Sequence, residues 1–160
     1  MGVKDNFTEE EWRVLLKTPM LVSYAVAGAA PSGEEDFTQE MSAVADAIIE
    51  GGQRAEKNSL LGAVVADIVA NAEDERRGQT EKLSVGGVKD RTLENCRAVA
   101  GLLQTKASAE EADEYKRWIV DVAHKVASAA KEGGLFGFGG TQLSGSEVAT
   151  INEIGEALSV

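Results

Sequence analysis

The chain has 160 residues, the length of one domain, and its 43% apolar content is enough for a buried core rather than general disorder. Sixteen Lys and Arg against 27 Asp and Glu leave a net charge of −11, a balance that disfavours binding to a nucleic-acid backbone, which needs clustered cations. A single Cys excludes an internal disulfide and any Cys-based zinc cage, and a single His excludes paired-His metal motifs.

The opening residues run into Glu9-Glu10-Glu11 rather than an apolar leader. Asn6 stands where a myristoylation pattern wants Ser or Thr. The most apolar stretch, residues 19–30, is 12 long and Ala-rich, against about 20 for a bilayer span. It predicts a buried core helix in a soluble, cytoplasmic protein with no membrane partner.

Capping boxes punctuate the chain at Thr8/Glu11, Ser32/Glu35, Ser108/Glu111 and Ser144/Glu147. In each, the hydroxyl can accept from the third amide of the helix while the Glu reaches back to the cap amide. Phe7 with Trp12, and Leu143 with Val148, add hydrophobic staples. The first predicted helix covers residues 9–17; Pro19 ends it and opens a second helix to about residue 30. After Pro31-Ser32-Gly33, Phe37, Met41, Val44 and Ile48 share one face of a third helix with Asp46 opposite, and Gly51-Gly52 ends it.

A fourth helix over residues 58–72 carries the stripe Leu60, Leu61, Val64, Val65 and Ile68 and is followed by the charged run 73–78. Residues 82–89 read as an ordered loop or small hairpin. A fifth helix starts near Asp90, with Leu93, Cys96, Ala100 and Leu103 inward. The sixth shows the strongest periodicity: Ala112, Tyr115, Ile119, Val122, Val126 and Ala129 fall three and four apart, as in a bundle seam, and Gly133-Gly134 ends it. A Gly-rich link then leads to a last helix with Val148, Ile151, Ile154 and Leu158. No alternating run is long enough to build a sheet, so the fold class is all-α: a single compact bundle of about six or seven helices, one domain over residues 1–160. Its many Ala and Gly residues permit close helix approach but reduce the apolar area each helix buries, so self-association would add stability.

The Gly-rich link contains Gly134-x4-Gly139-Gly140-Thr141, which lacks the P-loop Lys and follows a helix rather than a strand. Its Leu135, Phe136 and Phe138 fit partner docking better, because aromatic side chains are enriched at interfaces. Asp121 and His124 stand at i,i+3, a spacing that can share a metal, with Glu114 one further carboxylate on the same helix. The phase of the helix nevertheless puts His124 opposite the apolar seam, as a solvated residue would be. Cys96 sits in an apolar stripe, as an inert buried thiol does. It faces away from His124, against a Cys–His nucleophile pair, and no Gly-x-Ser-x-Gly elbow occurs. Residues 1–50 hold 3 basic and 10 acidic side chains. Glu9-Glu10-Glu11 and Glu34-Glu35-Asp36 lie in first helical turns, where they complement the helix dipole.

The segment Val126-Ala127-Ser128-Ala129-Ala130-Lys131-Glu132-Gly133-Gly134, followed by Phe136-Gly137-Phe138-Gly139-Gly140 and a capped helix, resembles uncharacterised small all-helical bacterial proteins. In composition and helix number the chain is similar in type to acidic tellurite-resistance-like helical domains. Neither resemblance implies a site residue. The expectation is a non-enzymatic interaction or regulatory module, docking a protein partner or a second copy of itself, with no resident cofactor. The alternative is a bundle that binds or senses a divalent metal through Glu114, Asp121 and His124. An enzyme with a site assembled from scattered residues stays open, since neighbours in a site need not be neighbours in sequence.

Overall fold

The computed structural model describes residues 2–29, 34–78, 87–132 and 145–160, with side chains described for 2–29, 42–72, 87–129 and 145–160. Among these the protein is all-α, with no strand. A 3-10 turn, Val3–Asn6, precedes six helices: α1 Glu9–Ala27, α2 Glu34–Arg54, α3 Leu60–Gly78, α4 Val88–Lys106, α5 Ala109–Glu132 and α6 Gly145–Leu158. They form a compact bundle in which α1 touches all five other helices.

That central position follows from composition. Leu15, Val22 and Val26 are fully buried, and Ala25 and Ala27 nearly so. A helix apolar around most of its circumference is stable only when surrounded. Its start is fixed by local chemistry. The Thr8 side chain accepts from the Glu11 N–H at 3.2 Å, Glu11 Oε2 accepts from the Thr8 N–H at 2.8 Å, and the Phe7 and Trp12 rings pack 5.7 Å apart. The same reciprocal bonds join Ser108 and Glu111 at the start of α5. The boxes at Ser32/Glu35 and Ser144/Glu147 and the Leu143–Val148 staple each include a residue outside the described ones.

Two expected helix ends are corrected. Pro19 does not divide α1; the helix runs through it. A proline inside a helix leaves the carbonyl four residues earlier without its donor. That carbonyl is Leu15 C=O, and the buried Tyr115 hydroxyl of α5 donates to it at 2.7 Å. The tertiary structure thus supplies the bond that the helix itself cannot make. Neighbouring polar groups are satisfied in the same way: Thr18 Oγ1 donates to Val14 C=O, Asn95 Nδ2 donates to Thr18 Oγ1, and Thr92 Oγ1 bonds Leu21 C=O. Gly51-Gly52 does not end α2 either, which continues to Arg54. These glycines allow close approach: a Cβ on Gly51 would fall 2.2 Å from Trp118 Nε1, and one on Gly52 would fall 2.5 Å from Val65 Cγ1.

Smaller corrections concern phase and length. The helical backbone of α3 extends through the charged run to Gly78. On α4 the buried face is Thr92, Cys96, Val99 and Leu103, so Leu93 and Ala100 lie at its flank. On α6, Ile151, Ile154 and Leu158 face inward as expected, but Val148 is 41% exposed, and Glu147 and Thr150 are buried in its place. The α5 seam is as expected, with Tyr115, Ile119, Val122 and Val126 fully buried and Ala112 and Ala129 half-buried. Residues 79–86, which contain most of the expected hairpin or loop, lie outside the described residues.

The N-terminal turn is clipped to α3. Asp67 Oδ2 accepts from Trp12 Nε1 at 2.8 Å and from Lys4 Nζ at 2.5 Å. Partial burial alone would raise the Asp67 pKa, but these two donors outweigh it and hold the carboxyl below its usual range. The clip is therefore intact near neutral pH and is lost as acid protonates Asp67.

Cys96 is fully buried, and burial pushes its thiol up to about 12. A thiol reagent at pH 8 is expected to leave native protein unlabelled and to label it at the global unfolding rate, because the thiolate is the reactive form. Mass spectrometry across a denaturant series measures this, and rapid labelling of the native protein would contradict the burial.

Candidate functional site

A concavity among the described residues lies between α2 and α5 beside the start of α3, a groove of about 340 Å³. That is near the lower end for small-ligand pockets and large enough for one or two side chains of a partner. Its inner wall is apolar and buried: Ala47, Gly51, Leu61, Trp118 and Val122. Its rim is charged: Glu50 and Arg54 from α2, with Glu114, Arg117, Asp121 and Lys125 from α5.

The floor exists because of glycine. α2 and α5 approach until the Trp118 indole lies against the bare backbone at Gly51, and Trp118 Nε1 reaches Ala47 C=O at 3.4 Å, a long hydrogen bond. Tyr115 packs edge-on against Trp118 with ring centroids 5.7 Å apart. An indole held by a helix backbone and a second ring is a rigid surface.

The rim charges are unequally paired. Lys125 bonds Glu50 across the two helices, Arg54 lies 3.9 Å from the same carboxylate, and Arg117 Nη2 bonds Asp113 at 2.8 Å. The Lys125 ammonium, joined to a smaller degree by Arg54, holds the Glu50 pKa below its usual range. Among the described residues Glu114 and Asp121 have no hydrogen-bond or ion-pair partner. They stand seven residues apart on α5 on either side of Trp118, about 10 Å along the helix axis. All three rim cations thus have a carboxylate beside them, while two carboxylates line the groove without a counter-ion among the described residues.

Of the residues singled out in the sequence, the fold brings Glu114 and Asp121 to this groove. His124 is exposed on α5 and does not line it. Among the described residues no group of three or more His, Cys, Asp and Glu side chains is placed to hold a metal ion. Leu135, Phe136 and Phe138 lie outside the described residues. Cys96 is buried in the α4 face and His124 is exposed. Sequence reasoning missed Trp118 and Gly51. Trp118 falls three residues after Tyr115 and four before Val122, in phase with the seam, and that spacing was the available signal.

Among the described residues, the fold and the groove define an all-α bundle with a charged, aromatic-floored surface groove. Compared with family models, curated proteins and solved structures, the chain matches none. Among the described residues no helix is long and apolar enough to cross a membrane.

Proposed function

We propose that this protein is a non-enzymatic interaction module that docks a protein partner in the α2–α5 groove. The observation that carries this reading is the rigid Trp118 floor inside a charged rim. Partner hot spots concentrate where a buried aromatic is ringed by polar groups that exclude water. The groove's size suits an inserted side chain, and the fixed helices around it keep the site pre-organised.

Site-specific photo-crosslinking tests the reading. A benzophenone amino acid replaces Arg117 on the rim, and in a control replaces the exposed Arg97 on α4. In cells that make the protein natively, the rim position is expected to give an adduct with one polypeptide, mapping to one segment of it, and the control to give none. Equal adducts from both positions, or none from the rim, would overturn the proposal.

A further inference from the structure

The charge pattern of the groove specifies the occupant. Resting on the docking reading above, we infer that the groove takes a basic amphipathic helix, with an apolar side chain over Trp118 and cationic side chains against Glu114 and Asp121.

Charge complementarity is the first ground. Arg54, Arg117 and Lys125 have carboxylates of their own, Glu50 and Asp113, so they offer an incoming acidic group little. Glu114 is half-buried and Asp121 exposed, both without a partner among the described residues, so a cation placed there gains an ion pair and breaks none. The net charge of −11 adds long-range attraction for a basic segment and repels an acidic one, a second copy of this chain included.

Spacing is the second ground. The two carboxylates are seven residues apart on one continuous helix, with Trp118 between them. A partner helix lying along α5 presents matching groups at i and i+7, with its i+3 and i+4 side chains between them. Those central positions meet Ala47, Leu61, Trp118 and Val122, so they need to be apolar. The fit therefore requires two basic residues two turns apart on either side of a leucine-sized anchor.

The test uses a capped alanine-based helix carrying Arg at i and i+7 and Leu at i+3 and i+4, titrated into the full-length protein. The chain has two Trp residues, and only one lines the groove. The Trp118 indole N–H is therefore the reporter in a 15N–1H spectrum, and Trp12, bonded to Asp67, is the internal control. Saturable movement of the Trp118 signal with Trp12 unmoved is expected. Affinity should fall at least tenfold in the Glu114→Gln, Asp121→Asn double variant, and also when Glu replaces both Arg residues of the peptide. Neither side chain belongs to the buried core, and an unchanged spectrum elsewhere shows that the variant is folded. No movement of Trp118 at millimolar peptide, or equal binding of the acidic peptide, would overturn the inference. A groove that crosslinks a partner yet ignores the basic helix would overturn this inference alone and leave the docking reading standing.

Discussion

Adding one methyl group at Gly51 is expected to destabilise the bundle by about 2–3 kcal/mol, the upper part of the range for overpacked cores. In an exposed helix interior the same Gly→Ala change gains about 1 kcal/mol. The sign reverses here because the new Cβ would stand 2.2 Å from Trp118 Nε1 and 2.6 Å from Cδ1. The indole is only 5% exposed and is backed by Tyr115, so it cannot turn aside without opening the α2–α5 seam. Gly101→Ala on α4 is the matched control: nothing lies within 4 Å of its Cβ position, so it should stabilise by roughly 0.5–1 kcal/mol. Urea melts of both variants read the difference, and near-UV circular dichroism reports the displaced indole. A Gly51→Ala protein as stable as the parent would show that the helices do not approach as described.

Tyr115→Phe is expected to cost about 1–3 kcal/mol, because it leaves the buried Leu15 carbonyl without a donor while barely changing volume. Burial holds the Tyr115 phenol well above its ordinary pKa, so the hydroxyl remains a donor across the neutral range and the cost should not vary with pH there. The decisive measurement is a double-mutant cycle with Pro19→Ala. Alanine restores an N–H at position 19, which can bond Leu15 C=O in the ordinary helical manner. In that background the loss of the Tyr115 hydroxyl should be milder, giving a coupling on the order of 1 kcal/mol. Strict additivity would mean that the hydroxyl does not stand in for the bond proline removed.

These two positions separate what is local in this protein from what is not. Capping chemistry and apolar period act within a few residues, so the Thr8 and Ser108 boxes, the Phe7–Trp12 staple, the α5 seam and the all-α class followed from the sequence by itself. On α4 and α6, Cys96, Leu103, Ile151, Ile154 and Leu158 face inward as expected, while Leu93 and Ala100 lie at the flank and Val148 is exposed. Thr92 and Glu147 are polar residues on buried faces, and hydropathy alone places such residues outside. Burial of Thr92 becomes acceptable once its hydroxyl finds Val88 and Leu21 carbonyls, the second of which belongs to another helix.

The candidate site was legible in fragments. Glu114 and Asp121 stood out as carboxylates on one helix, but their spacing to His124 suggested a metal, whereas the fold gives them Trp118 and α2 as neighbours. Proline and glycine were read as breaks because, within one segment, a missing N–H and a missing Cβ only weaken a helix. The tertiary structure decided otherwise at both places. A hydroxyl 100 residues from Leu15 replaces the donor that Pro19 lacks, and an indole 67 residues away fills the space left by the absent Cβ at Gly51. Local sequence determined where helices form, while partners distant in the chain decided which of them run through their breakers and which side chains meet at the groove.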